Sequence, residues 1–513
     1  PKGHRETNYV LLGIAFLILF IAGINFTNLT TSLIPLRLKT INTHRVLGCS
    51  IYKLQAISLI ESIVICLISY ILALFIVNDL SYTPIANWVD ADIRLSQYKG
   101  LILLTALIAI LTGCLAGLYP AIRSTSYAPA LVLKGSFGLS PKGKKVRVAL
   151  IGFQYTVSIA LIIVTLFMGL QNHFMTSSEQ LGFNKDQVAI VNLTPEIYAK
   201  HKPQYIQKLK DYPGIEDVAF SVYELSKEDD MIDLEYARHE DKDVFFKVFY
   251  ASENFLSVMD IQVEEGRDFT REDLNKAQSD YIINPAAERD FHLHPGDRFN
   301  DRTVLGVSKD FRFNSCRIAS SPFVFALNND IPNPKLVSYI RFNSKTNLQE
   351  AVAHVRETLK EIDPTFPFEI SFYNTILNNL YQKEQTLGKL ISLFGIMAIL
   401  ISIVGVFGLV LFETQYRRKE IGIRKINGAT TGQILLMFNK TYIRIVSVCF
   451  IISIPIAWMG TQQWLENFAY KTPLHLWVFI VAFLIILSVT IGTVTFRNWQ
   501  AANENPVNSV KSE

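Results

Sequence analysis

Residues 416–432 read YRRKEIGIRKINGATTG, and residues 37–48, which lie 380 positions before 417–428, read RLKTINTHRVLG. Without a gap Arg37 falls on Arg417, Lys39 on Lys419, Ile41 on Ile421 and Gly48 on Gly428, while His44, Arg45 and Val46 fall on Arg424, Lys425 and Ile426. In the later copy Ile421, Ile423 and Ile426 can form a small apolar face on a short helix. Arg417, Arg418, Lys419, Arg424 and Lys425 surround that face, and Gly428 is placed to end the helix. A general excess of basic residues would explain the charges but not the shared spacing. Two matched elements suit docking of a two-lobed or dimeric partner, which makes them the main candidate site.

Each copy follows a long apolar run, and these runs decide the fold class. Half of the 513 residues are hydrophobic and 18% are charged, against roughly 25% charged in soluble domains. The deficit is concentrated in seven segments: 9–36, 54–77, 100–122, 148–168, 390–412, 445–464 and 474–496. Each is long enough to cross a bilayer core, which takes about 20 helical residues. The expected fold is therefore an α-helical integral membrane protein of seven spans, with a large mixed α/β domain over 171–386.

Lys and Arg in the short loops give the orientation, because they resist translocation. Residues 37–53, 123–147 and 413–444 are rich in both and read as cytoplasmic. The segment 78–99 carries Asp79, Asp90 and Asp92 against Arg94 and Lys99 and reads as external. Alternation then puts 171–386 outside, the tail inside and the N-terminus outside. No signal peptide or earlier span accounts for an external N-terminus. The expectation is an eight-span parent chain, with residues 1–8 as the end of an earlier external domain. The net charge of +4 mixes these compartments and says little about partners.

The repeat extends beyond the basic element. Residues 129–134 (PALVLK) resemble 506–511 (PVNSVK), so a three-helix unit occurs at 9–135 and again at 387–513. A basic linker, 136–147, and a further span, 148–170, separate the first unit from the external domain. Within that domain Gln187–Leu193, Val244–Tyr250, Thr303–Ser308 and Leu336–Phe342 have strand patterns, and Pro203–Asp211 and Leu348–Ile362 have helical ones. Pro213-Gly214, Glu265-Gly266-Arg267 and His294-Pro295-Gly296-Asp297 are the turn signals. Cys316 stands alone in the domain, so no internal disulfide staples it.

Several motifs fall short of chemistry. Gly138–Lys145 (GLSPKGKK) has phosphate-loop spacing, but Lys145 replaces the hydroxyl that would hold Mg²⁺ and no strand feeds the turn. It reads as a flexible basic loop at the anionic leaflet. His292 and His294 alternate as on a strand, with no carboxylate or cysteine at ligand spacing to complete a metal set, and read as surface histidines. Glu61, about 10 Å into its helix at 1.5 Å per residue, is an intramembrane polar candidate. Its ordinary alternatives are snorkelling or capping a polar contact between helices. No catalytic, cofactor or metal residues are assigned, and nothing points to nucleic acid.

At these residues the chain resembles the MacB/FtsX-like permeases of bacterial ABC transporters. The resemblance rests on RRKEIGIRKINGAT (417–430), GVSKDFRF (306–313), EGRDF (265–269) and the ending Asn505-Pro506-Val507. The fused two-half form has a span, a periplasmic domain and three more spans in each half, and this sequence lacks the first span and first domain of that plan. The first-half element also departs from the pattern, with Asn42 and Thr43 where the second has Gly422 and Ile423. The resemblance implies a permease subunit of the inner membrane, with ATP and Mg²⁺ on a separate cytosolic ABC ATPase dimer. That dimer would grip Arg417, Arg418, Glu420, Ile423, Arg424, Lys425, Asn427 and Gly428, together with Arg37, Lys39, His44, Arg45 and Gly48. It implies force transmission to periplasmic domains, for export of an envelope substrate or lipoprotein trafficking, with either a periplasmic adaptor and outer-membrane channel or an envelope protein as partners, besides the membrane lipids. The alternative is a non-transporting regulator that activates a cell-wall hydrolase or signals to an envelope sensor.

Overall fold

The computed structural model describes residues 2–83, 86, 94–126, 141–177, 181–226, 233–276, 278–312, 315–327 and 336–503. The chain forms two compact units, Pro1–Gly169 with Thr386–Gln463 and Leu474–Glu513, and Leu170–Gln385 with Trp464–Pro473. Among the described residues seven helices are long and apolar enough to span a membrane, and they coincide with the seven apolar runs.

The first unit opens with α1 (Lys2–Val46), α2 (Ile51–Leu80) and α3 (Lys99–Thr125). Apolar side chains gain little from leaving lipid for one another, so close backbone approach and polar contacts hold such helices together. Gly117 on α3 lies against α2: a Cβ there would sit 2.5 Å from the Cβ of Ser62. Next come α4 (Pro141–Thr176) and, after the α/β domain, α10 (Gln382–Tyr416), the short α11 (Arg418–Ile426), α12 (Thr431–Leu465) and α13 (Leu476–Ala502). Buried hydroxyl and amide pairs join them: Ser158 to Ser402 at 3.0 Å, Tyr155 to Thr490 at 3.0 Å and Thr414 to Asn498 at 2.7 Å. Between α1 and α10, Asn25 donates to the carbonyl of Ile401 at 3.0 Å and lies against Gly405. Residue 405 is the repeat counterpart of residue 25, and equivalent positions meet in this way where they lie beside a pseudo-twofold axis relating two units.

The α/β domain is built on one 11-stranded sheet in the order β11-β1-β10-β2-β4-β9-β6-β8-β5, with β3 paired to β4 and β7 to β8. Its frame is β1 (Val188–Leu193), α5 (Lys202–Lys210) and β2 (Ile215–Ser221), then β10 (Leu336–Phe342), α8 (Leu348–Ile362) and β11 (Ile370–Phe372). These strands run antiparallel in the order β11-β1-β10-β2, a split βαβ arrangement. Every residue of β10 is buried, because α5 and α8 cover one face while Phe249, Phe255 and Tyr373 pack on the other. Asn347 caps α8 by accepting from the Gln349 amide, and Ala351, Val355 and Leu359 form its buried stripe. Between β2 and β10 lie β3 (Asp233–His239), β4 (Lys242–Ala251), α6 (Phe255–Met259), β5 (Val263–Gly266), β6 (Tyr281–Ile283), α7 (Pro285–Phe291), β7 (Arg298–Phe299), β8 (Arg302–Ser308) and β9 (Phe323–Leu327). The short helix α9 (Tyr373–Leu380) follows β11.

Three expectations change. Pro141–Arg147 forms the first turns of α4 rather than a flexible loop, with Pro141 at the start, where its fixed φ and missing N–H suit a helix; residues 138–140 lie outside the described residues. His292 is not on a strand but ends α7 in the left-handed region, at φ 52°. His294 follows in a turn and is not without carboxylates: Glu288 comes within 3.6 Å of its Nδ1. The resemblance between 129–134 and 506–511, Phe313 and the ending Asn505-Pro506-Val507 also lie outside the described residues.

Candidate functional site

The twin basic elements share a backbone design at the 380-residue offset. In the first, the amides of Leu47, Gly48 and Cys49 donate to the carbonyls of Thr43, Arg45 and His44; in the second, those of Asn427, Gly428 and Ala429 donate to Ile423, Lys425 and Arg424. Each is a helix end closed by a glycine in the left-handed region, Gly48 at φ 92° and Gly428 at φ 87°. The next helix is capped in the same way, by Ser50 on the Lys53 amide and by Thr430 on the Gln433 amide. The elements differ in how they begin. Residues 37–46 simply continue α1, whereas a break at Arg417 separates α11 from α10.

The outward faces also match. Residues 43, 44, 46, 47 and 48 are exposed, as are 423, 424, 426, 427 and 428. The single apolar face expected for Ile421, Ile423 and Ile426 is not formed. At 100° per residue Ile421 projects away from the other two; it is buried, while Ile423 and Ile426 are 50% and 65% exposed. Val46 and Leu47 stand out likewise, at 65% and 78%.

The basic residues divide into anchored and free. Arg37 makes a two-pronged ion pair with Glu61 of α2, at 2.7 and 2.8 Å. This gives Glu61 the role of a polar contact between helices. Arg45 donates to the carbonyl of Thr125 at the C-terminal end of α3, 3.2 Å away, where a cation complements the helix dipole. Arg417 pairs with Glu413 at 3.0 Å and lies over the Phe438 ring. Among the described residues Arg424 reaches only Glu420 on its own helix, in an exposed pair at 3.0 Å, and His44 is exposed at the equivalent place. The side chains of Lys39 and Arg418 fall outside those described. Thr125 and Phe438 were not legible as partners, because their contacts cross between helices with no local spacing to mark them, whereas Glu413 stands four residues before Arg417, a spacing the sequence does display.

A second constellation was missed altogether. The stretch Trp464–Pro473, joining α12 to α13, belongs to the same compact unit as the α/β domain. Gln171, fully buried, donates to the carbonyl of Tyr470 at 3.0 Å and accepts from the Thr472 amide at 2.8 Å. The Tyr470 amide donates to the Cys316 carbonyl, and its ring lies 4.1 Å from the Arg312 guanidinium. Arg317 sits over Phe468 and pairs with Glu384 at 2.8 Å. Cys316 is buried beneath this strap beside the Tyr381 hydroxyl, and burial pushes its thiol pKa up.

Comparison with known proteins places these features. A profile of the C-terminal domain of FtsX-like permeases matches twice, over residues 12–129 and 392–506. The chain is 25% identical over 212 residues to the macrolide export ATP-binding/permease protein MacB of Aggregatibacter actinomycetemcomitans, covering 39% of this chain and 32% of that protein. It is 25% identical over 223 residues to the MacB of Neisseria gonorrhoeae, covering 41% and 34%. The chain thus spans about a third of the length of these curated relatives. Among solved structures, the periplasmic region of MacB from Actinobacillus actinomycetemcomitans aligns at 15% identity and TM-score 0.29, covering 39% of this chain and 94% of that one. The extracellular domain of the transporter YknZ from Gram-positive bacteria aligns at 16% and 0.27, covering 36% and 98%. The two profile matches begin 380 residues apart, the offset of the twin elements: the chain carries two FtsX-like permease regions and is distantly similar to MacB.

Proposed function

We propose that this chain is the membrane permease subunit of an ABC-type transporter of the bacterial inner membrane. Its twin elements dock on a cytosolic ABC ATPase dimer, and its α/β domain works in the periplasm. The observation that carries this reading is the doubled element: the same caps, the same exposed positions and the same spacing, 380 residues apart. One protein surface that presents two equivalent knobs suits a partner with two equivalent sockets. Residues 423, 424 and 426 of the second element and 43, 44 and 46 of the first supply the contacts, each an exposed apolar or polar tip beside a basic or imidazole side chain. Arg37, Arg45 and Arg417 hold the elements against the bundle. ATP and Mg²⁺ are handled by the partner, and closure of that dimer moves the spans and through them the periplasmic domain, in export of an envelope substrate or in lipoprotein trafficking.

The test is co-purification of the full chain with its cognate ATPase subunit. Replacing Arg424 by Glu together with Ile426 by Asp removes exposed groups and leaves the anchors intact. Recovery of ATPase is expected to fall by roughly tenfold or more, since interface anchors commonly carry over 1 kcal/mol each. Undiminished recovery in the double variant would sink the assignment.

A further inference from the structure

We propose that Glu265, Glu288 and His294 form a binding site for a divalent transition-metal ion of the zinc class on the surface of the α/β domain. Their ligand atoms all lie within 4.8 Å of one another, and among the described residues this is the one convergence of three or more such groups. The three come from separate places in the chain: Glu265 from the edge strand β5, Glu288 from the first turn of α7, and His294 from the turn that follows α7.

The backbone under each donor is fixed. Asn284 caps α7 through the Ala287 amide at 2.9 Å. The His294 amide donates to Asp297 at 2.7 Å, and the Gly296 amide donates to Val304 of β8 at 2.8 Å. Glu265 lies opposite Val307 of the same strand β8, so both sides of the site are referred to one strand while the side chains above it remain free to turn.

Charge and donor type select the ligand. Among the described residues neither carboxylate has an Arg or Lys within ion-pair distance; Glu288 meets only the His294 ring, at 3.6 Å. Two carboxylates this close favour a cation between them. The imidazole nitrogen favours zinc and its neighbours over Mg²⁺ or Ca²⁺, which prefer all-oxygen shells. A tetrahedral ion with ligands at about 2.1 Å sets its donors about 3.4 Å apart, within reach of small rotations of these three side chains. Three protein ligands leave the fourth position to water. The site would tie β5 to the end of α7, a structural clamp rather than a catalytic centre.

The experiment is calorimetric titration of Zn²⁺ into the full, untagged chain in detergent. One ion per chain is expected to bind and to persist in excess Mg²⁺. His294→Ala and Glu288→Gln should each weaken binding by roughly tenfold or more without shifting the metal-free melting temperature. Co²⁺ loading adds a readout of the donors, because the site predicts no sulfur-to-metal charge-transfer band. Unchanged binding in His294→Ala, or a cobalt spectrum showing cysteine ligation, would overturn the proposal.

Discussion

Asp273 organises a corner of the α/β domain through its charge. Its carboxylate, buried, accepts two bonds from Arg267 at 2.7 and 2.9 Å, two from the amide and hydroxyl of Thr270 at 2.9 and 2.8 Å, and pairs with Lys276 at 3.0 Å. The Arg267 guanidinium, more than any other group, holds its pKa far below the usual carboxylate range. A depressed native pKa stabilises the fold at pH values above the unfolded value of about 3.9, and that contribution is lost as pH falls through the native value. Asp273→Asn should therefore lower domain stability by about 2 kcal/mol at pH 7, with the gap to the parent protein closing below about pH 4. Denaturant melts of both proteins at pH 7 and at about pH 2, well below the unfolded value, check this; a gap that stays constant with pH would show that the charge is not what matters. The Glu265-Gly266-Arg267 turn was legible as a turn. Nothing in its spacing marked Arg267 as the partner of a carboxylate in the next short 3₁₀ helix.

Among the elements, the sequence was most informative where one physical demand dominated. All seven apolar helices were legible because a bilayer imposes length and composition together. So was α8, whose stripe is amphipathic. The strands read correctly, β1, β4, β8 and β10, are rich in β-branched and aromatic residues; β2 and β3, seven residues each, were missed because charged residues interrupt them. The short β9 and β6 were missed too, since five or three consecutive buried residues carry no alternation. The strap at Trp464–Pro473 was invisible for another reason: Gln171 and Tyr470 lie far apart in sequence, and a glutamine in an apolar helix end has no motif. Gln171→Leu keeps the volume and removes both bonds to the strap, leaving the Tyr470 carbonyl and Thr472 amide unpaired. The strap is expected to open more often, so that labelling of Cys316 by a membrane-impermeant maleimide rises by roughly tenfold, a loss of about 1.4 kcal/mol in closure. Labelling no faster than in the parent chain would mean that the aromatic and Arg contacts alone keep Cys316 covered.

For the whole molecule, the doubled unit and the positive-inside bias make a joint statement that can fail. The repeat offset was legible in sequence, and the profile matches and helix caps fall on it. The contact of residue 25 with its counterpart 405 was not legible, because it depends on how two helices pack. If both halves share one orientation, positions 46 and 426 face the cytoplasm together and the α/β domain faces away from it. Cys316 is a poor reporter of this, being buried under the strap. An exposed position on α8, Lys360, and the exposed Ile426 serve better. In a background lacking the native cysteines, Lys360→Cys is expected to react with impermeant maleimide in intact spheroplasts. Ile426→Cys should react only after the membrane is opened. Reaction of both from the same side would break the topology, and with it the assignment of the twin elements to a cytosolic partner.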